Sequence, residues 1–366
     1  MEGGNLFLTL LSEFAPEWAP GWAVVLTACM AGVSVLIGFV SALAMVATWA
    51  ERKVAGHIQC RYGPMYVGGW HGWAQPIADG LKLLMKEDMI PIGADRPLFM
   101  LAPAIVLGSM FGALVAMPFA PDVYFADVNL GLFLILALSS MTTIGVVMAG
   151  WASNSKWSLY GAMREAAQVV AYEIPLGIAL LVPLIGAGTF NLLEASAAQS
   201  EYWGMNWLIF RNPFMWPAVI IFGIAALAET KRAPFDLPEA ESELVSGFLT
   251  EYSGLRWSLF FMEEYAAMFL MSLVGAVFFF GGFESPLTHF AGEWAGDDSI
   301  IYNLAGHVTL MTKSAAGVFL MMWLRWTLPR VRIDQVMTMG YKYLTPLALV
   351  CVLGACLWDA LWYAIF

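Results

Sequence analysis

Glutamates interrupt several long apolar runs of this 366-residue chain, and carboxyl groups in that setting suit one kind of chemistry, the uptake and release of protons. An ionised side chain at mid-membrane costs about 2.5 to 3.5 kcal/mol on insertion scales, so such groups are rare and line polar interiors. Here they recur. Glu165 and Glu173 lie eight residues apart in one run, about 12 Å along a helix. Gln168 and Tyr172 fall on the same broad side, and Pro175 follows, where a missing N–H and a bulky ring are expected to bend the helix. Glu229 closes the next run, the segment Phe235 to Gly247 supplies Asp236, Glu239, Glu241 and Glu243, and Glu251, Glu263 and Glu264 accompany the run after it. Burial and like-charge neighbours both raise the pKa of a carboxyl, which brings it toward neutral pH. The functional reading is a file of carboxylates running from an inside loop into a helix bundle. The plain alternative makes Glu239, Glu241 and Glu243 a solvated face and pairs Glu229 with Lys231 or Arg232. It has least room at Glu173, deep in its apolar run.

Other chemistries find no support in the spacing. His57, His71, His289 and His307 are scattered without metal-ligand intervals. Cys29, Cys60, Cys351 and Cys356 show no CxxC pair, and three of them sit in apolar runs, so no disulfide framework, zinc or iron–sulfur cluster is expected. A net charge of −11, from 17 basic and 28 acidic residues, excludes the basic excess that nucleic-acid binding requires.

The elements that must hold these acids are membrane helices. With 60% hydrophobic and 12% charged residues and a mean hydropathy of +0.72, the chain has too little polar surface to coat a soluble globule. The expectation is an all-α integral membrane protein of about eight transmembrane helices: Gly21 to Ala50, Leu98 to Phe119, Leu130 to Trp151, Arg164 to Ala187, Phe214 to Glu229, Leu255 to Gly281, Asn303 to Trp326 and Leu344 to Phe366. The first basic residue is Arg52, so the first run is expected to be a retained span and not a cleaved signal. Fifteen of the 17 basic residues fall in the loops and helix ends after spans one, three, five and seven. The opposite loops hold only Arg211, and Lys313 lies inside span seven. By the positive-inside bias both termini then face the outer, periplasmic or intermembrane, side.

The whole, residues 1–366, reads as a single membrane domain with two notable inside loops, 51–97 and the acidic 230–254. In the first, Gln75 to Asp88 places Ile77, Leu81, Leu84 and Met85 at helical spacing with Asp79, Lys82, Lys86 and Glu87 largely opposite. It is too short and too charged to cross, so an amphipathic helix lying in the interface is expected. The outside loops Asn191 to Pro213 and Glu284 to Tyr302 read as ordinary connections.

Five segments carry a specific likeness: ERKVAGHIQCRYGP (Glu51 to Pro64), GGWHGWAQPIADGLKLLMKED (Gly68 to Asp88), YGAMREAAQVVAYE (Tyr160 to Glu173), AETKRAPFDLPEAESELVSG (Ala228 to Gly247) and RWTLPRVRIDQVM (Arg325 to Met337). In this order, over nearly the whole chain, they resemble the H-subunit family of proton-pumping NADH:quinone oxidoreductase, respiratory complex I, whose mitochondrial member is subunit 1. The resemblance implies a subunit at the heel of the membrane arm, inactive alone, that forms much of the tunnel by which ubiquinone or menaquinone reaches the terminal iron–sulfur cluster. Quinone is then a substrate, and FMN and the iron–sulfur clusters belong to partner subunits of the membrane and hydrophilic arms. It further implies that Arg52, Arg61, Arg325 and Arg330 flank the quinone tunnel and its mouth. Glu165, Glu173, Glu229, Glu239, Glu241, Glu243, Glu251 and Glu264 become candidates for the acidic path that joins the quinone cavity to proton translocation. The expected location is the bacterial inner (plasma) membrane, with lipid as surroundings.

Three alternatives bear on these expectations. A proton-coupled secondary transporter also needs intramembrane carboxylates, but an inverted repeat is expected there and none is evident. Membrane-bound hydrogenases contain equivalent subunits. A purely structural anchor for a soluble redox arm predicts dispensable membrane glutamates.

Overall fold

The computed structural model describes residues 20–239, 241–296 and 299–365, leaving aside the side chains of 241–242 and 362–365. Its long helices are α1 (Gly21–Ile58), α2 (Gln75–Met85), α3 (Arg96–Val115), α4 (Gly131–Ala152), α5 (Lys156–Ala187), α6 (Met215–Glu229), α7 (Gly254–Phe279), α8 (Pro286–Ala295), α9 (Ile300–Thr327) and α10 (Thr345–Ile365). Among the described residues, seven helical segments are long and apolar enough to cross a membrane. The run read as span five, α6, has 15 residues, roughly 22 Å of helix against a hydrocarbon core of about 30 Å.

The rod at the centre is α7, in which every residue from Glu263 to Phe279 is buried, packed by α1, α3, α6 and α9. Lipid tails are as apolar as leucine, so close packing of small residues, and not water exclusion, draws such helices together. A methyl group on Gly145 of α4 would stand 2.4 Å from Val106 of α3, and one on Gly150 would stand 2.3 Å from Ala162 of α5. On the periphery, α1 buries only a narrow stripe that includes Ala28, Gly32, Leu36 and Val40. Its remaining apolar surface, Leu26, Met30, Val33 and Ile37 among it, is exposed.

Several boundaries differ from those expected. Helix α1 runs to Ile58, eight residues into the loop assigned to 51–97, because its polar end finds partners: Lys53 Nζ donates to the Pro64 carbonyl at 2.6 Å, and Glu51 turns inward. Helix α5 starts at Lys156 and passes unbroken through Pro175 and Pro183. Pro175 leaves the Ala171 carbonyl without its helical donor. A π-turn, Met339–Leu344, lays Gly340 so close that a methyl there would stand 2.9 Å from that oxygen. The segments 191–213 and 284–302 are not simple connections. They hold Leu192–Ala197, whose first turn is capped by Asn191 accepting from Leu193 N–H, and α8, opened by a Ser285–Thr288 capping box with Pro286 at its start. Those cap residues are the available sequence mark. In α2 the apolar side chains Ile77, Leu81, Leu84 and Met85 are all exposed.

Candidate functional site

Where α6 ends, the chain makes an abrupt turn. Lys231 takes a left-handed conformation, φ +56°, which costs a non-glycine residue about 1 to 2 kcal/mol and persists only where surroundings over-determine it. Here the turn drives Lys231 and Arg232 back into the bundle, where their side chains are 8% and 2% exposed. Lys231 Nζ lies 2.6 Å from Glu165 of α5 and 3.5 Å from Glu263 of α7. Arg232 reaches the adjacent carboxylates: Nε is 2.5 Å from Glu264 and Nη1 is 3.2 Å from Glu51. Its guanidinium stacks 4.4 Å over the Tyr265 ring, and the Tyr265 hydroxyl donates to Glu51 at 2.5 Å. Arg325, in the last turn of α9, also donates to Glu51.

Four helices and the turn that follows α6 therefore meet at one buried acid–base cluster. Burial alone pulls the Lys231 ammonium down, yet Glu165 and Glu263 outweigh it and hold it above its ordinary value. Arg232 behaves likewise, against Glu264 and Glu51. Glu229, 7% exposed at the end of α6, has one carboxyl oxygen buried without a hydrogen-bond partner among the described residues. It lies within electrostatic reach of Glu173, Lys231, Glu263 and Glu165. Glu173 accepts from the Ser140 hydroxyl and borders a cavity of about 410 Å³ whose other walls, such as Phe133, Leu136 and Leu181, are apolar. On the other flank Glu264 interacts with Glu239, Glu51 and Glu263. Glu239, half-buried in the loop, is pushed up to about 7 by desolvation first and then by Asp236, against the pull of Arg232 and Lys231.

Of the eight acids read from the sequence, Glu165, Glu173, Glu229, Glu239 and Glu264 thus belong to one electrostatically connected series. Glu243 does not enter the interior. It is half-exposed between Arg164 Nη1 at 2.6 Å and Arg330 Nη2 at 3.0 Å, and the Arg164 hydrogen bond holds its carboxyl below the usual range. Glu251 sits half-buried on the turn before α7, and the side chain of Glu241 lies outside the described residues. The four arginines separate too: Arg325 joins the cluster, Arg330 pairs with Glu243, Arg52 pins α2 through Asp79 at 2.6 Å, and exposed Arg61 donates to Gln59 at 2.6 Å. Sequence reasoning missed Glu51 and Tyr265 as members of the cluster, noted Glu263 among the acids without placing it among the path candidates, and treated Lys231 and Arg232 as loop charges. The available mark was a Lys-Arg pair directly after an acid that ends an apolar run.

Residues 31–356 match the NADH dehydrogenase family. The H subunit of the NADH-quinone oxidoreductase of Chlorobium luteolum is 42% identical over 97% of this chain and 94% of its own length. That of Geobacillus thermodenitrificans is 47% identical over 91% of this chain and 95% of its own, and that of Anaeromyxobacter dehalogenans is 42% identical over 89% and 81%. A multi-pass helical chain whose likeness to these proteins extends over almost its whole length is a membrane subunit of complex I, and it belongs to the H-subunit family of NADH-quinone oxidoreductase.

Proposed function

We propose that this chain forms the quinone-access tunnel of its complex and an acidic path that couples quinone reduction to proton translocation. One observation carries the proposal. The interior holds the buried carboxyls Glu51, Glu165, Glu229, Glu263 and Glu264 against the cations Lys231, Arg232 and Arg325, a surplus of acid. Taking an ion out of water costs several kcal/mol, and an unbalanced buried charge is worse. Protons are the natural counter-charge for such a surplus, and a site that holds protons in a connected series can pass them on.

In this reading the file runs from Glu239 through Glu264, Glu263 and Glu165 to Glu229 and Glu173. Glu251, Glu241 and Glu243 stand at its entrance, and Arg52, Arg61, Arg325 and Arg330 flank the tunnel and its mouth. Helix α6 completes eight crossings, both termini face the periplasm, and α2 lies in the interface of a bacterial plasma membrane with its exposed apolar side chains in lipid. The chain acts as one membrane domain, 1–366, whose inside loops 51–97 and 230–254 meet the hydrophilic arm. That arm supplies the FMN and the iron–sulfur clusters, and quinone is the substrate.

The tunnel is tested at its rim. Arg61→Met or Arg330→Met in the assembled complex is expected to lower quinone reduction while leaving NADH oxidation by a hydrophilic acceptor such as ferricyanide intact, because that route bypasses the tunnel. Both activities falling together at unchanged complex content would contradict the assignment.

The entrance is tested by pH. A Glu239 carboxyl raised from 4.5 to about 7 is neutral below that value and charged above it. Its contribution to folded-state stability is intact below 4.5 and lost as pH climbs through about 7. Glu239→Gln is expected to remove an inflection near pH 7 from the quinone-reduction profile and to soften the loss of stability over the same interval. An unchanged profile would remove Glu239 from the path.

A further inference from the structure

Lys313 has no place in the cluster, yet it is an ammonium group in the middle of a membrane helix, where a charge demands a reason. Its surroundings provide one. The chain leaving α7 turns through Gly281 and Gly282, both with positive φ. The turn is held by Gly282 N–H donating to the Ala276 carbonyl at 2.8 Å and by Glu284 N–H donating to the Gly281 carbonyl at 2.8 Å. The turn leaves other carbonyls pointing away from any helical partner. Lys313 Nζ collects three of them: Phe280 at 2.6 Å, Gly282 at 2.9 Å and Glu284 at 2.7 Å. An ammonium has three donors, and all three are matched. The Trp207 ring covers the same turn, lying 4.9 Å from Nζ, and a methyl on Gly281 would strike it at 2.4 Å. Non-helical backbone at membrane depth is tolerated only where its polar groups are satisfied inside the protein.

Helix α7 carries Glu263, Glu264 and Tyr265. From Glu264 to Phe279 is fifteen residues, roughly 22 Å of continuous helix, without a proline to bend it. Twelve residues beyond Lys313, α9 supplies Arg325 to Glu51, and Glu51 is bonded in turn to Arg232 and Tyr265. Helix α7 is therefore tied to α9 at two points, by Lys313 at its C-terminal end and through Tyr265 and Glu51 at the cluster.

We infer that Lys313 is a positioning residue, a built-in cation that anchors the far end of α7 and so sets the height at which Glu263 and Glu264 meet Lys231 and Arg232. This inference rests on the proposed proton path and deepens it. A straight helix transmits an axial shift from one end to the other. If the anchor is released, the contact of 2.5 Å between Glu264 and Arg232 and that of 3.5 Å between Glu263 and Lys231 are the ones that lengthen.

The test uses the whole complex in membranes. Lys313→Met is expected to keep parental NADH oxidation by ferricyanide and to lose quinone reduction about tenfold in kcat, with KM for a short-chain quinone unchanged. Lys313→Arg, which keeps charge and donors, is expected to restore at least half of the parental rate. Parental quinone reduction in Lys313→Met, or equal loss in the Met and Arg variants, overturns the inference. Should the Met variant fail to accumulate, Lys313→Arg and Lys313→Gln decide: a higher rate for Arg supports the anchor, and equal rates overturn it. Glu165→Gln separates this inference from the reading beneath it. If Glu165→Gln abolishes quinone reduction and Lys313→Met leaves it at the parental rate, the anchor is wrong and the path stands; if neither changes the rate, both are wrong.

Discussion

Lys231→Met is expected to prevent the complex from accumulating. The substitution keeps an unbranched apolar stem and removes the ammonium that lies within 4 Å of both Glu165 and Glu263, whose side chains are 0% and 4% exposed. Two carboxylates then face each other in a low-dielectric interior, and removing one partner of a buried ionic group costs about 3 to 5 kcal/mol. The left-handed backbone at Lys231 loses the contacts that hold it in place, which adds to the loss. Blue-native electrophoresis of solubilised membranes reports the outcome as a deficit of intact complex. The double variant Lys231→Met with Glu165→Gln removes one of the stranded charges and is expected to recover part of the complex. Normal content and thermal stability in the single variant would mean that the pairs contribute nothing to the fold.

Glu165→Gln is expected to give the opposite combination: an assembled complex that cannot reduce quinone. Glutamine matches glutamate in shape and still offers an oxygen to Lys231, so the packing of α5 against α6 and α7 survives. It cannot bind and release a proton. A positioned acid or base contributes about 10²- to 10⁴-fold to a rate that depends on proton transfer, and a loss of at least the lower figure is expected in quinone reduction with ferricyanide reduction unchanged. If the residue only packs the bundle, the same variant works and an apolar or larger replacement does the damage.

Much of the architecture was legible because lipid imposes a simple rule on sequence. The runs from Gly21, Leu98, Leu130 and Leu255 appear as helices at nearly those positions, and the seven helical segments long and apolar enough to cross a membrane among the described residues were within reach of counting apolar residues. The rule fails where polar residues extend a helix beyond its apolar run. At Glu51 to Ile58 and at Lys156 to Met163 the helix continues, and hydropathy alone marks the end of the bilayer, not the end of the helix. It fails again in the segments 191–213 and 284–302, whose helices are specified by caps and not by hydropathy.

The cluster was legible on one side only. Carboxyls in apolar runs stand out, so Glu165, Glu173, Glu229 and Glu264 could be picked from the sequence. Their partners could not, because the contacts join residues far apart in the chain: Arg232 with Glu51 across 181 positions, Tyr265 with Glu51 across 214 and Arg325 with Glu51 across 274. Periodicity carries no record of such pairings. The positive-inside bias bears only on the side expected for Lys231 and Arg232, and a cation in solvent satisfies that rule as well as one folded back into the bundle. Glu51 sits where the first apolar run ends, with basic neighbours on its C-terminal side, which gives no reason to bury it. Lys313 is visible as an anomaly within its span, but its three carbonyl acceptors arise from a turn that forms only when α7 ends against α9.

The most direct test of the central claim is proton translocation by purified Glu165→Gln complex reconstituted into sealed proteoliposomes, followed with a pH-sensitive dye during NADH oxidation by a short-chain quinone. The expected result is an assembled enzyme, normal in ferricyanide reduction, that shows neither quinone reduction nor acidification beyond background. Proton translocation at the parental rate and the parental ratio to quinone reduced would contradict a path through the buried cluster.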